Sequence, residues 1–182
     1  MAQETFQFDR EKFKDVIHFV CTRCETAELG RVKLHKILYF ADMLHFLSAG
    51  RPLTGCEYQK QQFGPTAKHL NWAIGQLRSE GRVRCERRDF FGFAKDDFVS
   101  MREPDSKRLS SDEHALLNEV IDFVCARTAR EISELSHSAA WEMVKFGEVI
   151  PYFSALFLAP SETTEEDVAW AEATVKELGL AS

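Results

Sequence analysis

Residues Gly30–Gly50 read GRVKLHKILYFADMLHFLSAG. Between Val32 and Leu47 the apolar positions are Val32, Leu34, Ile37, Leu38, Tyr39, Phe40, Ala41, Met43, Leu44, Phe46 and Leu47. That set is too wide for one stripe, and a helix apolar nearly all round is buried by neighbours on several sides. At about 1.5 Å per residue it spans on the order of 27 Å, enough to cross a small domain. It is too short for a membrane span and is interrupted by Lys33, His35, Lys36, Asp42 and His45. The spacing therefore predicts a buried central helix over about residues 31–48, ended by Gly50 with Pro52 just beyond.

On the N-terminal side, residues 1–8 read as a short arm. Asp9 caps a helix whose apolar positions Phe13, Val16, Ile17, Val20, Cys21 and Cys24 recur every three or four residues. Cys21 and Cys24 form a CxxC. No second CxxC or CxxH follows at zinc spacing, so they read as small buried hydrophobes. On the C-terminal side, residues 53–63 have strand-compatible ends around a polar middle, and Gly64-Pro65 punctuates the chain. Pro65 is expected at the start of a helix over Thr66–Glu80, which Gly81 stops. Alternation in 82–101 predicts a β-hairpin. Ser110 with Glu113, Thr128 with Glu131 and Thr163 with Glu166 each carry the signature of a capping box. Pro151 is expected to open a short helical turn.

The fold class expected is α+β, mainly α: a compact helical domain around the central helix, with a small hairpin and possible additional strand. One domain is expected over 1–158, followed at 159–182 by an acidic amphipathic helix packed on it or extending from it. The 182 residues include 45% hydrophobic residues and 15 Phe, ample for one core. A net charge of −6 argues against a general nucleic-acid coat protein but leaves room for a local basic patch. The first fifteen residues predict no secretory signal, and five cysteines, an odd number, are most economically read as reduced thiols in a cytoplasmic protein.

No phosphate-cradling glycine loop, GxSxG, HExxH or EF-hand pattern occurs, so neither a catalytic residue, a metal nor a cofactor is expected. Asp42 and His45 are three apart on one helical face, with Tyr39 three before Asp42. They read as a structural pair in which Asp42 orients the imidazole, against an acid–base or metal pair. His137 lies four residues before Trp141, a spacing that stacks the two rings if the helix continues. His18, His35, His69 and His114 have no partner assignable from sequence. Arg82, Arg84, Arg87 and Arg88, after the expected helix, draw the outline of a winged helix whose wing contacts phosphates. A solvated strand face, offset by Glu86, Asp89, Asp96 and Asp97, is the competing reading. The aromatic segment Trp141–Phe157 is either a binding surface or core.

The ordered set Lys33–Phe46 (KLHKILYFADMLHF) and Gly50–Thr66 (GRPLTGCEYQKQQFGPT) resembles the Panacea domain, the family of SocA-type antitoxins. Lys36, Tyr39, Asp42, Tyr58, Gly64 and Pro65 fall on its motif positions, and Glu134–Trp141 (ELSHSAAW) resembles its later E-x-S-H and Trp. The likeness runs from about residue 10 to residue 155. The CxxC and the acidic segment Glu162–Leu178 depart from the family pattern. The resemblance implies a non-enzymatic, bacterial antitoxin-like protein, often encoded beside a toxin or in a prophage. Its implied partner is a cognate toxin neutralised by direct contact, with a protease or chaperone joining where the protein acts as a proteolytic adaptor. A winged-helix regulator that binds DNA through the basic hairpin is the alternative; no membrane partner is expected.

Overall fold

The computed structural model describes residues 6–90, 92–105 and 107–158. The helix expected over Glu162–Leu178, and the assignment of 159–182 as a separate element, lie outside the described residues. Helix α1 spans Arg10–Arg23 and opens on Asp9, whose carboxylate accepts the Lys12 N–H at 2.9 Å. Helix α2 spans Arg31–Ala49 and ends at Gly50 in the left-handed conformation, φ 68°. It is the centre of the molecule. Leu34, Ile37, Leu38, Tyr39, Ala41 and Met43 are all buried, and α2 is enclosed by elements from every part of the chain.

The chain then forms two strands, β1 (Tyr58–Gln61) and β2 (Gly64–Ala67), before helix α3 (Leu70–Ser79). The expected helix start at Pro65 is therefore corrected: Pro65 pairs with Lys60 inside β2, and the helix begins five residues later. Proline tolerates both places for one reason. Its missing N–H costs nothing at a helix start or on a sheet edge, and β2 is an edge of the order β2-β1-β5. His35 secures this strand to α2, accepting the Ala67 N–H at 3.0 Å. Burial pushes its imidazole down to about 3, which keeps the acceptor nitrogen free.

Strands β3 (Val83–Phe90) and β4 (Phe93–Ser100) form the expected hairpin, antiparallel from Val83↔Ser100 to Phe90↔Phe93. Helices α4 (Ser111–Cys125) and α5 (Ala129–Leu135) both open on complete capping boxes, Ser110/Glu113 and Thr128/Glu131. A single turn, α6 (Ala139–Glu142), leads to β5 (Val149–Ile150), which pairs with β1, and to a 3₁₀ segment over Tyr152–Leu158 after Pro151. The result is mainly helical α+β. Among the described residues, no helix is long and apolar enough to cross a membrane.

Candidate functional site

The polar residues of α2 divide into two groups. Asp42 is wholly buried and receives three donors at 2.6 Å: the Thr54 N–H, the Thr54 hydroxyl and the Tyr58 hydroxyl. The Tyr58 hydroxyl also lies 2.8 Å from the Leu38 carbonyl. The single phenol proton is shared between these two acceptors. Burial pushes the Asp42 carboxyl up, against the hydrogen bonds from Thr54 and Tyr58. His45 takes no part. Its Nδ1 donates to the Arg51 carbonyl at 2.7 Å, and its Nε2 stands 3.4 Å from Glu113. The Asp42–His45 pair expected from spacing is thus corrected: the loop after α2 claims both side chains, through different atoms. Among the described residues, no three His, Cys, Asp or Glu side chains are placed to hold a metal.

Lys36 heads the second group. Its ammonium is 1% exposed and donates to the Pro65 carbonyl at 3.0 Å. Among the described residues no carboxylate pairs with it, and burial lowers the amine to about 7. Gly64, φ 89°, lies directly against it. A Cβ there would collide with the Ser136 hydroxyl and meet Lys36 Nζ at 2.7 Å and the His137 ring at 3.3 Å. Only glycine fits both the backbone and the space. His137 stacks on Trp141, centroids 4.1 Å apart, although the helix breaks between α5 and α6. Lys60 Nζ sits 3.9 Å over the Trp141 ring. One turn along α2, the Tyr39 hydroxyl is directed towards Ser138. Among the described residues, Tyr39 Oη, Ser138 Oγ, His137 Nε2 and Trp141 Nε1 are buried without a hydrogen-bond partner of good geometry. Such groups are uncommon in folded proteins. This niche is rich in donors and gathers Lys36, Tyr39, Gly64, Pro65, His137 and Trp141 from three separate stretches. Ser136, the serine of the E-x-S-H segment, and Ser138, which no spacing announced, complete it.

Residues 34–142 match the family described as Antitoxin SocA-like, Panacea domain, more than half of the chain. The chain belongs to that family. No curated protein and no solved structure matches it. Both groups on α2 fall inside the matched span, so the Panacea core comprises the satisfied Asp42 network and the donor-rich niche alike.

The basic hairpin of this Panacea domain is arranged differently from the expected wing. Arg82 is buried: its guanidinium donates to Asp15 at 2.7 Å and to His18 Nδ1 at 3.1 Å. His18 therefore carries its proton on Nε2, which donates to the Arg102 carbonyl at 3.0 Å. Burial and the Arg82 charge hold its imidazole below the usual range. Arg82 locks the hairpin to α1 and is closed to a phosphate. Arg84 pairs with Glu86 at 2.8 Å, and Arg88 with Glu86 and Asp97, each at 3.1 Å. Arg87 is exposed and lines a cleft of about 1140 Å³ between the start of α2, the hairpin and the β1–β2 turn, together with Arg31, Lys33 and Lys36.

The aromatic segment, which runs past the end of the matched span, splits. Trp141 and Tyr152 pack on the core, whereas Phe146, Phe153 and Phe157 are 66%, 52% and 54% exposed. Met143 and Leu156 are exposed beside them in sequence.

Proposed function

We propose that this protein is an antitoxin that neutralises a cognate toxin by direct protein–protein contact, as a binding protein rather than an enzyme. Membership of the Panacea family carries the reading. Two features of the chain support it. The best-organised polar cluster, around Asp42, is saturated by its own neighbours and offers no free group to a substrate. The exposed rings Phe146, Phe153 and Phe157 are the kind of side chain that anchors interfaces, and they lie after the matched residues 34–142. Toxin choice then resides in this segment, on a core common to the family.

The test is growth of cells expressing the adjacent gene with and without this protein. Relief of toxicity, with the two proteins co-eluting, is the expected result. Relief with loss of the toxin from the cell identifies the proteolytic-adaptor form of the same contact. Toxicity unchanged by co-expression contradicts the reading.

A further inference from the structure

The cysteine pair that matters is not the CxxC. Cys24, at the C-terminal cap of α1, places its sulfur 3.6 Å from that of Cys125, the last residue of α4. The two helices are already tied at this end, Arg23 donating to Asn118 at 3.1 Å and reaching Asp122 at 3.4 Å. The thiols are unequal. Cys24 is 8% exposed, whereas Cys125 is half-buried. A hydrogen bond from the Cys24 thiol and the nearby Lys33 ammonium bring Cys125 down to about 7, against burial, Glu28 and Asp122. Lys33 Nζ stands 3.4 Å from the Cys125 carbonyl. The Cys24 thiol is pushed well up by the same pairing and by burial. The half-buried Cys125 is thus the more acidic thiol and Cys24 its buried neighbour within contact, the division of labour of an oxidisable pair.

We propose that Cys24 and Cys125 form a reversible disulfide when a peroxide oxidises the protein, stapling the C-terminal ends of α1 and α4. The Cys125 thiolate attacks one peroxide oxygen, the O–O bond breaks, and hydroxide leaves a sulfenic acid on Cys125. Cys24 sulfur then attacks that sulfur, the S–O bond breaks, and the departing hydroxide takes the Cys24 proton. Two thiols are oxidised and one hydrogen peroxide becomes two waters. Closing the bond brings the sulfurs from 3.6 Å to about 2.05 Å. Both residues sit at helix termini, where the last turn frays most easily. The proposal does not depend on the toxin reading.

The full chain is reduced, desalted, treated with hydrogen peroxide, alkylated, and mapped by mass spectrometry without reduction. A peptide joining Cys24 to Cys125, lost on adding dithiothreitol, is the expected product. Cys24→Ser leaves Cys125 as a sulfenic acid that dimedone traps; Cys125→Ser gives neither the link nor the adduct. The oxidised wild type melts about 5 °C or more above the reduced form, since the bond closes a long loop. A Cys21–Cys24 link, or five alkylatable thiols after peroxide, overturns the proposal. Should a serine variant fail to fold, the wild-type peptide map decides alone.

Discussion

Asp42 and Lys36 lie six residues apart on α2, both buried, and their surroundings could hardly differ more. Asp42 meets three donors, all supplied by Thr54 and Tyr58. Among the described residues, Lys36 meets one carbonyl, no carboxylate, and neighbours whose own polar atoms lack partners. A buried polar group that is fully satisfied holds the fold in one arrangement; one that is only partly satisfied costs stability in the isolated chain. Residues with the same claim to family membership thus divide into those that build the scaffold and those held at a cost.

Removing Asp42 breaks the comparison most sharply. Asp42→Ala takes the acceptor from the buried Thr54 N–H and Thr54 hydroxyl and leaves Tyr58 only the Leu38 carbonyl, and about 3–5 kcal/mol of stability is lost by urea unfolding. A loss under about 1 kcal/mol would mean that the network is dispensable. Gly64→Ala comes next, at about 2–4 kcal/mol, because the methyl adds left-handed strain to its clash with Ser136 and Lys36. Circular dichroism melting measures it.

Lys36→Met is expected to be neutral or stabilising near neutral pH, within about 1–2 kcal/mol, since it removes an uncompensated buried amine and keeps the volume. Its signature is in the pH dependence. The folded-state pKa, about 7, lies below the ordinary 10.5, so between these values the unfolded chain binds more protons than the folded one. The Lys36 contribution therefore rises with pH across that window, and the charging penalty is complete below it. Wild type gains stability relative to Lys36→Met between about pH 6 and about pH 9; a constant difference would show that the amine keeps an unshifted pKa. Arg84→Gln is the smallest effect, within about 0.5 kcal/mol, because its partner Glu86 is a surface pair. A larger loss would give the hairpin's outer charges a structural role.

How much of this was legible in the sequence depended on how far each feature reached along the chain. The central helix followed from residues 32–47 alone, and the capping boxes at Ser110 and Thr128 from three-residue spacings. The His137–Trp141 stack survives a helix break that spacing did not foresee. Pro65 misled because a helix start and an edge strand excuse its missing N–H equally. Spacing put Asp42 and His45 on one face but could not say that the following loop would claim them separately. Arg82 looked like the first residue of a basic wing; its partner Asp15 lies 67 residues away. Cys24 met Cys125 across 101 residues, while the adjacent Cys21 drew the eye. Family motifs located the niche residues, Ser136 among them as the serine of E-x-S-H, without indicating that Ser138 would join them.

The most direct test is calorimetric titration of the adjacent gene's toxin with wild type and with the triple variant Phe146→Ser, Phe153→Ser, Phe157→Ser. The expected result is an affinity lowered about 100-fold or more, with the melting temperature of the free protein unchanged, because exposed rings anchor the partner and not the core. Equal affinity for the two proteins would contradict a toxin-binding role for this segment.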